Sequence, residues 1–176
     1  MIVLETQRLR GRAPLDTDLA HLRVLHSDPR VMATLSADGQ PAAEAYSRAK
    51  LAEMREHWER HGFGSWLLFE KDGNRFTGYA GIRHIELEGV PEVELLYTIR
   101  SDRWAAGYAT EAAAEVLRDA FGDLAPPSVI AFTLPHNRGS RAVMEKCGLR
   151  FERGIVHAGL PHVLYRIIAA EFAKRR

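Results

Sequence analysis

The chain has 176 residues, 46% hydrophobic and 27% charged, which suits one globular domain over 1–176 with a full core. Its 24 basic and 23 acidic residues leave a net charge of +1 spread along the length; only Lys174-Arg175-Arg176 is a basic run, so the footprint of a nucleic-acid binder is absent. A single cysteine, Cys147, excludes an internal disulfide framework and a cysteine-rich metal site.

No apolar stretch approaches the ~20 residues of a membrane span, and MIVLETQRLRGR meets charge too early for a signal peptide. The expectation is a soluble, cytoplasmic protein. Residues 2–13, with Ile2, Val3 and Leu4 ahead of an alternating Thr6 to Arg12, predict a first strand ending at Pro14. Asp16 is placed to cap a helix whose Leu19, Leu22 and Leu25 recur at three-residue spacing, and Asp28-Pro29 marks its end. After Gly39-Gln40-Pro41 a long helical segment carries Leu51, Met54 and Trp58 and stops at Gly62.

From Ser65 the period changes. WLLF, FTGYAGIRHI and EVELLYTI, broken at Asp72-Gly73-Asn74 and Glu88-Gly89-Val90-Pro91, predict an antiparallel three-strand meander. Over 106–121, Ala109, Ala112, Ala113, Val116, Leu117, Ala120 and Phe121 share one helix face. Pro126-Pro127 then leads into SVIAFTL, a strand apolar enough to be buried on both faces. A helix from Asn137 to Cys147 closes at Gly148, and FERGIVH and HVLYRII form a hairpin around Ala158-Gly159-Leu160-Pro161.

EVELLYTI, the amphipathic helix and SVIAFTL make a βαβ-like unit. This puts WAAGYATEAA, residues 104–113, at the carboxyl end of a strand, where open α/β sheets bind ligands. A helix start leaves its first amides unpaired and carries about half a positive charge, so it suits an anion. Gly107 lets the backbone approach closely, Ala105, Ala106 and Ala109 leave little side chain in the way, Thr110 adds a hydroxyl, and Arg103 is placed to add charge. A lone glycine at a helix start serves packing equally well. There is no G-x-x-x-x-G-K-[ST], and Gly62-Phe63-Gly64 lacks the third glycine and preceding strand of a dinucleotide fingerprint.

ETQRLRGR, GFGSWLLFEKDGNRFTGYAGI, ELLYTIRSDRWAAGYATEAA and AFTLPHNRGSRAVMEKCGLRFE, in this order and spacing, resemble the GNAT acetyltransferase superfamily. Within it the likeness is to the branch of ribosomal-protein-alanine N-acetyltransferases and their small-molecule relatives. The resemblance implies a mixed α/β fold: a mostly antiparallel, V-splayed sheet of seven strands flanked by about four helices. It also implies acetyl-CoA as co-substrate, with no metal. Its pyrophosphate would lie on the loop Arg103, Trp104, Ala105, Ala106, Gly107, Tyr108, Ala109 and Thr110. This branch usually reads Trp-Gly-basic-Gly-Tyr-Ala there, so Ala105 and Ala106 replace a glycine and a basic residue. The backbone of Leu95, Leu96 and Tyr97 would meet the acetyl and pantetheine groups, Asn137 the pantetheine arm, and Ser140 the sulfur.

Acetyl transfer to an amine needs a neutral nucleophile, a polarised thioester carbonyl and a proton for the departing thiolate. Glu94 is a candidate base, or a strand carboxylate paired to Arg or Lys. Ser140 and Tyr97 are candidate acids, or packing residues. Trp58, Phe63, Trp66 and His84 are candidate walls for an amine acceptor, a peptide N-terminus or a small molecule; aromatics there serve equally as core. His57 and His61 have i, i+4 spacing, but HWERH is not H-E-x-x-H and no third ligand is apparent. No nucleic acid or membrane partner is expected, and the chain is a monomer or homodimer. A non-catalytic acyl-CoA-binding module on the same fold is the alternative.

Overall fold

A computed structural model describes residues 3–175; Ile2 of the predicted first strand and Arg176 of the basic tail lie outside the described residues. The strands are β1 (Leu4–Glu5), β2 (Leu9–Arg12), β3 (Ser65–Glu70), β4 (Phe76–Leu87), β5 (Val90–Ile99), β6 (Ser128–Thr133), β7 (Arg150–His157) and β8 (Leu160–Ile168). They form one sheet in the order β1-β2-β3-β4-β5-β6-β8-β7. The helices are α1 (Leu19–His26), α2 (Pro29–Met32), α3 (Glu44–His61), α4 (Tyr108–Asp119), α5 (Arg138–Lys146) and α6 (Ala169–Ala173).

The sheet has eight strands where seven were expected, because the first predicted strand is a hairpin. Leu4 pairs with Gly11 and Glu5 with Arg10, and the chain reverses at Thr6, whose amide donates to the Leu9 carbonyl at 3.0 Å. The helix count also exceeds the expected four, since two short ones were not foreseen. Pro29 does not simply end α1: it opens α2, with Asp28 accepting from the Arg30 amide as N-cap.

Sequence periodicity becomes packing directly at α4. Ala112, Ala113, Val116 and Leu117 are buried against Leu95 of β5 and Val129 of β6. Burying Val116 and Leu117 is worth about 1.5–3 kcal/mol each. α1 and α3 cover another cluster, with Leu22, Leu25, Leu51 and Met54 against Leu67, Phe69 and Tyr79. Two of the hairpin turns, Glu88-Gly89 between β4 and β5 and Ala158-Gly159 between β7 and β8, have positive φ at both residues, as type I′ geometry requires.

All neighbouring strands pair antiparallel except β5 and β6, which run parallel and meet at one register position, Glu94 opposite Ile130. Beyond that point the described residues show no further β5–β6 pairing, while β5 stays paired to β4 and β6 to β8. On the amino-terminal side of that rung Arg166 of β8 ties Glu92 of β5 to Ser128 of β6, so the two half-sheets are held there and the split is read as a V opening toward the carboxyl ends of both strands.

Candidate active site

The V is flanked at its mouth by two helix N-termini, because parallel strands deliver their following helices to the same end. After β5 the chain makes a short turn at Ser101–Arg103, then runs through Trp104 to Gly107, the N-cap of α4. Ala105 and Gly107 both have left-handed backbone, φ 59° and 83°. This alternation turns successive amides toward a common side, the geometry of an anion nest. Among the described residues, the amides of residues 105–110 meet no protein acceptor; the next amide, Glu111, donates to the Gly107 carbonyl at 3.0 Å. Residues 104–107 are exposed and, after Trp104, carry nothing larger than a methyl group. The loop thus fits a diphosphate through its backbone.

Two loop residues do other work than expected. Arg103 does not bring charge to the cradle: its Nε donates to Glu70 at 2.5 Å, holding the guanidinium against β3. Trp104 braces the turn through Nε1, which donates to the Ile99 carbonyl at 2.7 Å. A cation reaches the loop from elsewhere. Arg8, between β1 and β2, donates through Nη1 to the Ala106 carbonyl at 2.9 Å.

Beside the second helix, Asn137 is the N-cap of α5. Its Oδ1 accepts from the Ser140 amide at 3.1 Å and its Nδ2 donates to Thr133 Oγ1 at 3.0 Å. These two bonds fix the side chain as the cap of α5 and leave its second Nδ2–H and second Oδ1 lone pair for the pantetheine arm it is expected to bond. The Tyr97 hydroxyl, from β5, donates to the Ser140 carbonyl at 3.0 Å and lies 3.0 Å from Ser140 Oγ. Burial pushes the Tyr97 phenol well above its usual range, against the opposing effect of the Ser140 hydrogen bond. The structure brings Tyr97 and Ser140 together across the V.

Strand alternation sends Glu94 and Leu96 to the opposite face of β5 from Leu95 and Tyr97. Glu94 is buried, 4% exposed, and its Oε2 accepts from Arg83 Nε at 2.5 Å; Arg83 Nη1 reaches Glu53 of α3 at 2.6 Å. A cavity of about 190 Å³ lies on this face, lined by Lys50, Glu53, His57, Arg83, His84 and Leu96 among others. Leu96 connects it to the strand that borders the V.

Of the four predicted acceptor walls, only His84 lines that cavity. Phe63 stands behind it, stacked edge-on to His57 and His84 at 5.2 and 5.1 Å. Trp58 and Trp66 are core residues: they pack edge-to-face at 5.3 Å within the cluster under α4, and Trp58 Nε1 donates to the Ser65 carbonyl at 2.8 Å. Their apolar area wins over any place in the cavity wall.

His57 is locked as a neutral tautomer. Its Nδ1 sits 2.8 Å from the Phe63 carbonyl and so must carry the proton, while Nε2 accepts the His84 amide at 3.1 Å. Burial lowers its pKa, outweighing that carbonyl contact. The ring fills a gap in the ladder, because β3 starts at Ser65 opposite Gly81 and leaves the β4 edge at His84 without a strand partner on that side. Among the described residues no group of His, Cys, Asp and Glu is arranged to hold a metal ion. No helix there is long and apolar enough to cross a membrane. Cys147 is buried, and that burial pushes its thiol up to about 11.

Comparison with known proteins supplies the family. The model for the acetyltransferase (GNAT) domain matches residues 8–150. The uncharacterized protein YkkB of Bacillus subtilis (strain 168) is 28% identical over 171 residues, covering 92% of this chain and 93% of that protein. Among solved structures, the acetyltransferase from Agrobacterium tumefaciens superposes with a TM-score of 0.81 at 26% identity, over 95% of this chain and 94% of that one. RimL, a ribosomal L7/L12 alpha-N-protein acetyltransferase solved with coenzyme A, shares the fold: TM-score 0.76 at 14% identity, over 95% of this chain and 98% of its own. With its split sheet, its free amide loop and a family match across most of its length, the chain belongs to the GNAT acetyltransferase family, a family of acetyl-CoA-dependent N-acetyltransferases.

Proposed function

We propose that this protein transfers the acetyl group of acetyl-CoA to a primary amine, a peptide N-terminus or a small molecule, by direct attack within a ternary complex. The observation that carries this reading is the run of amides at residues 105–110 without protein acceptors, set at the mouth of the β5–β6 split. The diphosphate lies on those amides, and the arm runs into the V past Asn137 and Ser140. The acceptor enters from the other face, through the cavity that ends at Leu96.

In the reaction the amine nitrogen bonds to the thioester carbon, the C–S bond breaks, the ammonium proton leaves to a base, and the thiolate takes a proton. Glu94 stands at the cavity side of the V with one carboxylate oxygen held by Arg83, leaving the other for the amine proton. Tyr97 and Ser140 stand on the opposite face, where the sulfur departs; the raised phenol keeps its proton, swings it from the Ser140 carbonyl to the departing sulfur as a hydrogen bond, and the thiolate takes its proton from water. The peptide acceptor is supported by the ribosomal-protein acetyltransferases among the structural neighbours.

Thiol release from acetyl-CoA across a panel of amines and N-terminal peptides tests the proposal. Acceptor-dependent release is expected. Thermal stabilisation by CoA without release from any acceptor would replace it with a binding module.

A further inference from the structure

We propose that Arg8 is a positioning residue for the diphosphate: its guanidinium holds the Ala106–Gly107 peptide so that the Gly107 amide is presented to the anion. This rests on the function proposed above and assigns a role to a residue far from the loop in sequence.

Arg8 grips the loop and the start of α4 at several points. Nη1 donates to the Ala106 carbonyl at 2.9 Å, Nε donates to Glu111 Oε2 at 2.6 Å, and the Arg8 amide donates to Glu111 Oε1 at 2.7 Å. The guanidinium lies over the Tyr108 ring, 4.3 Å from its centroid. Thr6 completes the set, its hydroxyl donating to Glu111 Oε1 at 2.5 Å.

Peptide geometry converts this grip into an orientation. In a trans peptide the carbonyl and the following N–H point in opposite directions, and no cis bond occurs among the described residues. With the Ala106 oxygen turned toward Arg8, the Gly107 N–H points away from the guanidinium, to the side on which no protein acceptor meets it. Ala105 and Ala106 have no side chain able to fix that plane, and Gly107 has the loosest backbone of any residue. The restraint has to come from outside the loop.

Arg8 also controls charge. Glu111 sits in the first turn of α4, where a bare carboxylate would repel a diphosphate at the same helix end. Burial raises the Glu111 pKa, and the hydrogen bonds from Thr6 and Arg8 more than reverse it, so the group is ionised. The adjacent guanidinium cancels that charge while leaving the amide side of the loop open.

The test compares CoA, titrated calorimetrically, with pantetheine, which has the arm but no diphosphate, followed by amide NMR. Arg8→Ala is expected to weaken CoA about ten- to hundredfold, the range for a lost hydrogen bond to a charged group, with pantetheine affinity within about twofold of wild type. The Gly107 amide resonance should shift in the free protein. Arg8→Lys keeps the charge without the fork, and should stay at least about fivefold weaker for CoA; it carries the same comparison should Arg8→Ala fail to fold. Arg8→Ala/Glu111→Gln should recover part of the loss by removing the stranded carboxylate. Wild-type CoA affinity in both Arg8 variants, or equal loss of CoA and pantetheine, would overturn the proposal. A wild-type protein that binds no CoA is a different result, and overturns the acetyltransferase reading beneath it.

Discussion

Arg83 and Glu94 face each other across β4 and β5 and share an ion pair at 2.5 Å with little water around the carboxylate. A buried carboxylate that loses its cation is left uncompensated. Arg83→Met should therefore cost about 3 kcal/mol in urea denaturation, and Arg83→Met/Glu94→Leu should recover part of that. Glu94→Gln keeps the hydrogen bond but cannot take a proton, so kcat should fall about 100-fold. An unchanged kcat would reduce Glu94 to a structural partner of Arg83.

Tyr97 and Ser140 make a separable claim about the leaving group. Tyr97→Phe removes a donor near the departing sulfur while preserving the packing of the ring, so kcat should drop about tenfold or more at nearly constant KM for acetyl-CoA. A rise in KM alone would assign the hydroxyl to cofactor binding instead.

Ala105 carries backbone strain that can be relieved. An L-residue held at φ 59° pays roughly 1–2 kcal/mol, and glycine gives back roughly 0.5–1 kcal/mol of that through its freer unfolded chain. Ala105→Gly should stabilise the protein by about 0.5–1 kcal/mol, read as a higher urea midpoint at constant slope. A lower midpoint would mean that the left-handed turn is not a source of strain.

Legibility in the sequence followed the range of the interactions. The face of α4 and the turns Glu88-Gly89 and Ala158-Gly159 were readable because a few adjacent residues determine them. The β1–β2 reversal was not, since the Thr6 hydroxyl that shapes it bonds Glu111, 105 positions away. In the site, the loop was visible as a run of small residues, whereas its cation was not: Arg8 is 98 positions from Ala106 and looked like one charge in an alternating strand. Trp58 and Trp66 announce burial but not which side of the sheet they fill. Arg103 sits beside the cradle in sequence, yet Glu70 on β3 captures it.

His26 makes stability depend on pH. It is fully buried, with Nδ1 2.9 Å from Ser47 Oγ, and burial, reinforced by the charges of Lys50 and Arg23, pushes its pKa down to about 4. Above the unfolded value of 6.5 the ring is neutral in both states and nothing is lost. As pH falls from 6.5 toward 4 the unfolded chain takes up a proton that the folded one refuses, so stability declines, by about 3 kcal/mol in all, and this contribution is constant below that window. Urea denaturation at pH 7, 5.5 and 4 should show the decline in wild type and a flatter profile in His26→Gln. Equal slopes would place the acid sensitivity elsewhere.

The single rung at Glu94 and Ile130 has a mechanical consequence. Two half-sheets, β1–β5 and β6–β8, share one backbone tie among the described residues, and the core cluster under α4 joins Leu95 and Ile99 of β5 to Val129 and Ala131 of β6. Such a joint can rock without breaking either half's ladder, so amide exchange at the seam should outpace exchange within the halves. A molecule wedged in the V would act as a cross-brace, and its departure after each turnover would return the joint to its compliant state.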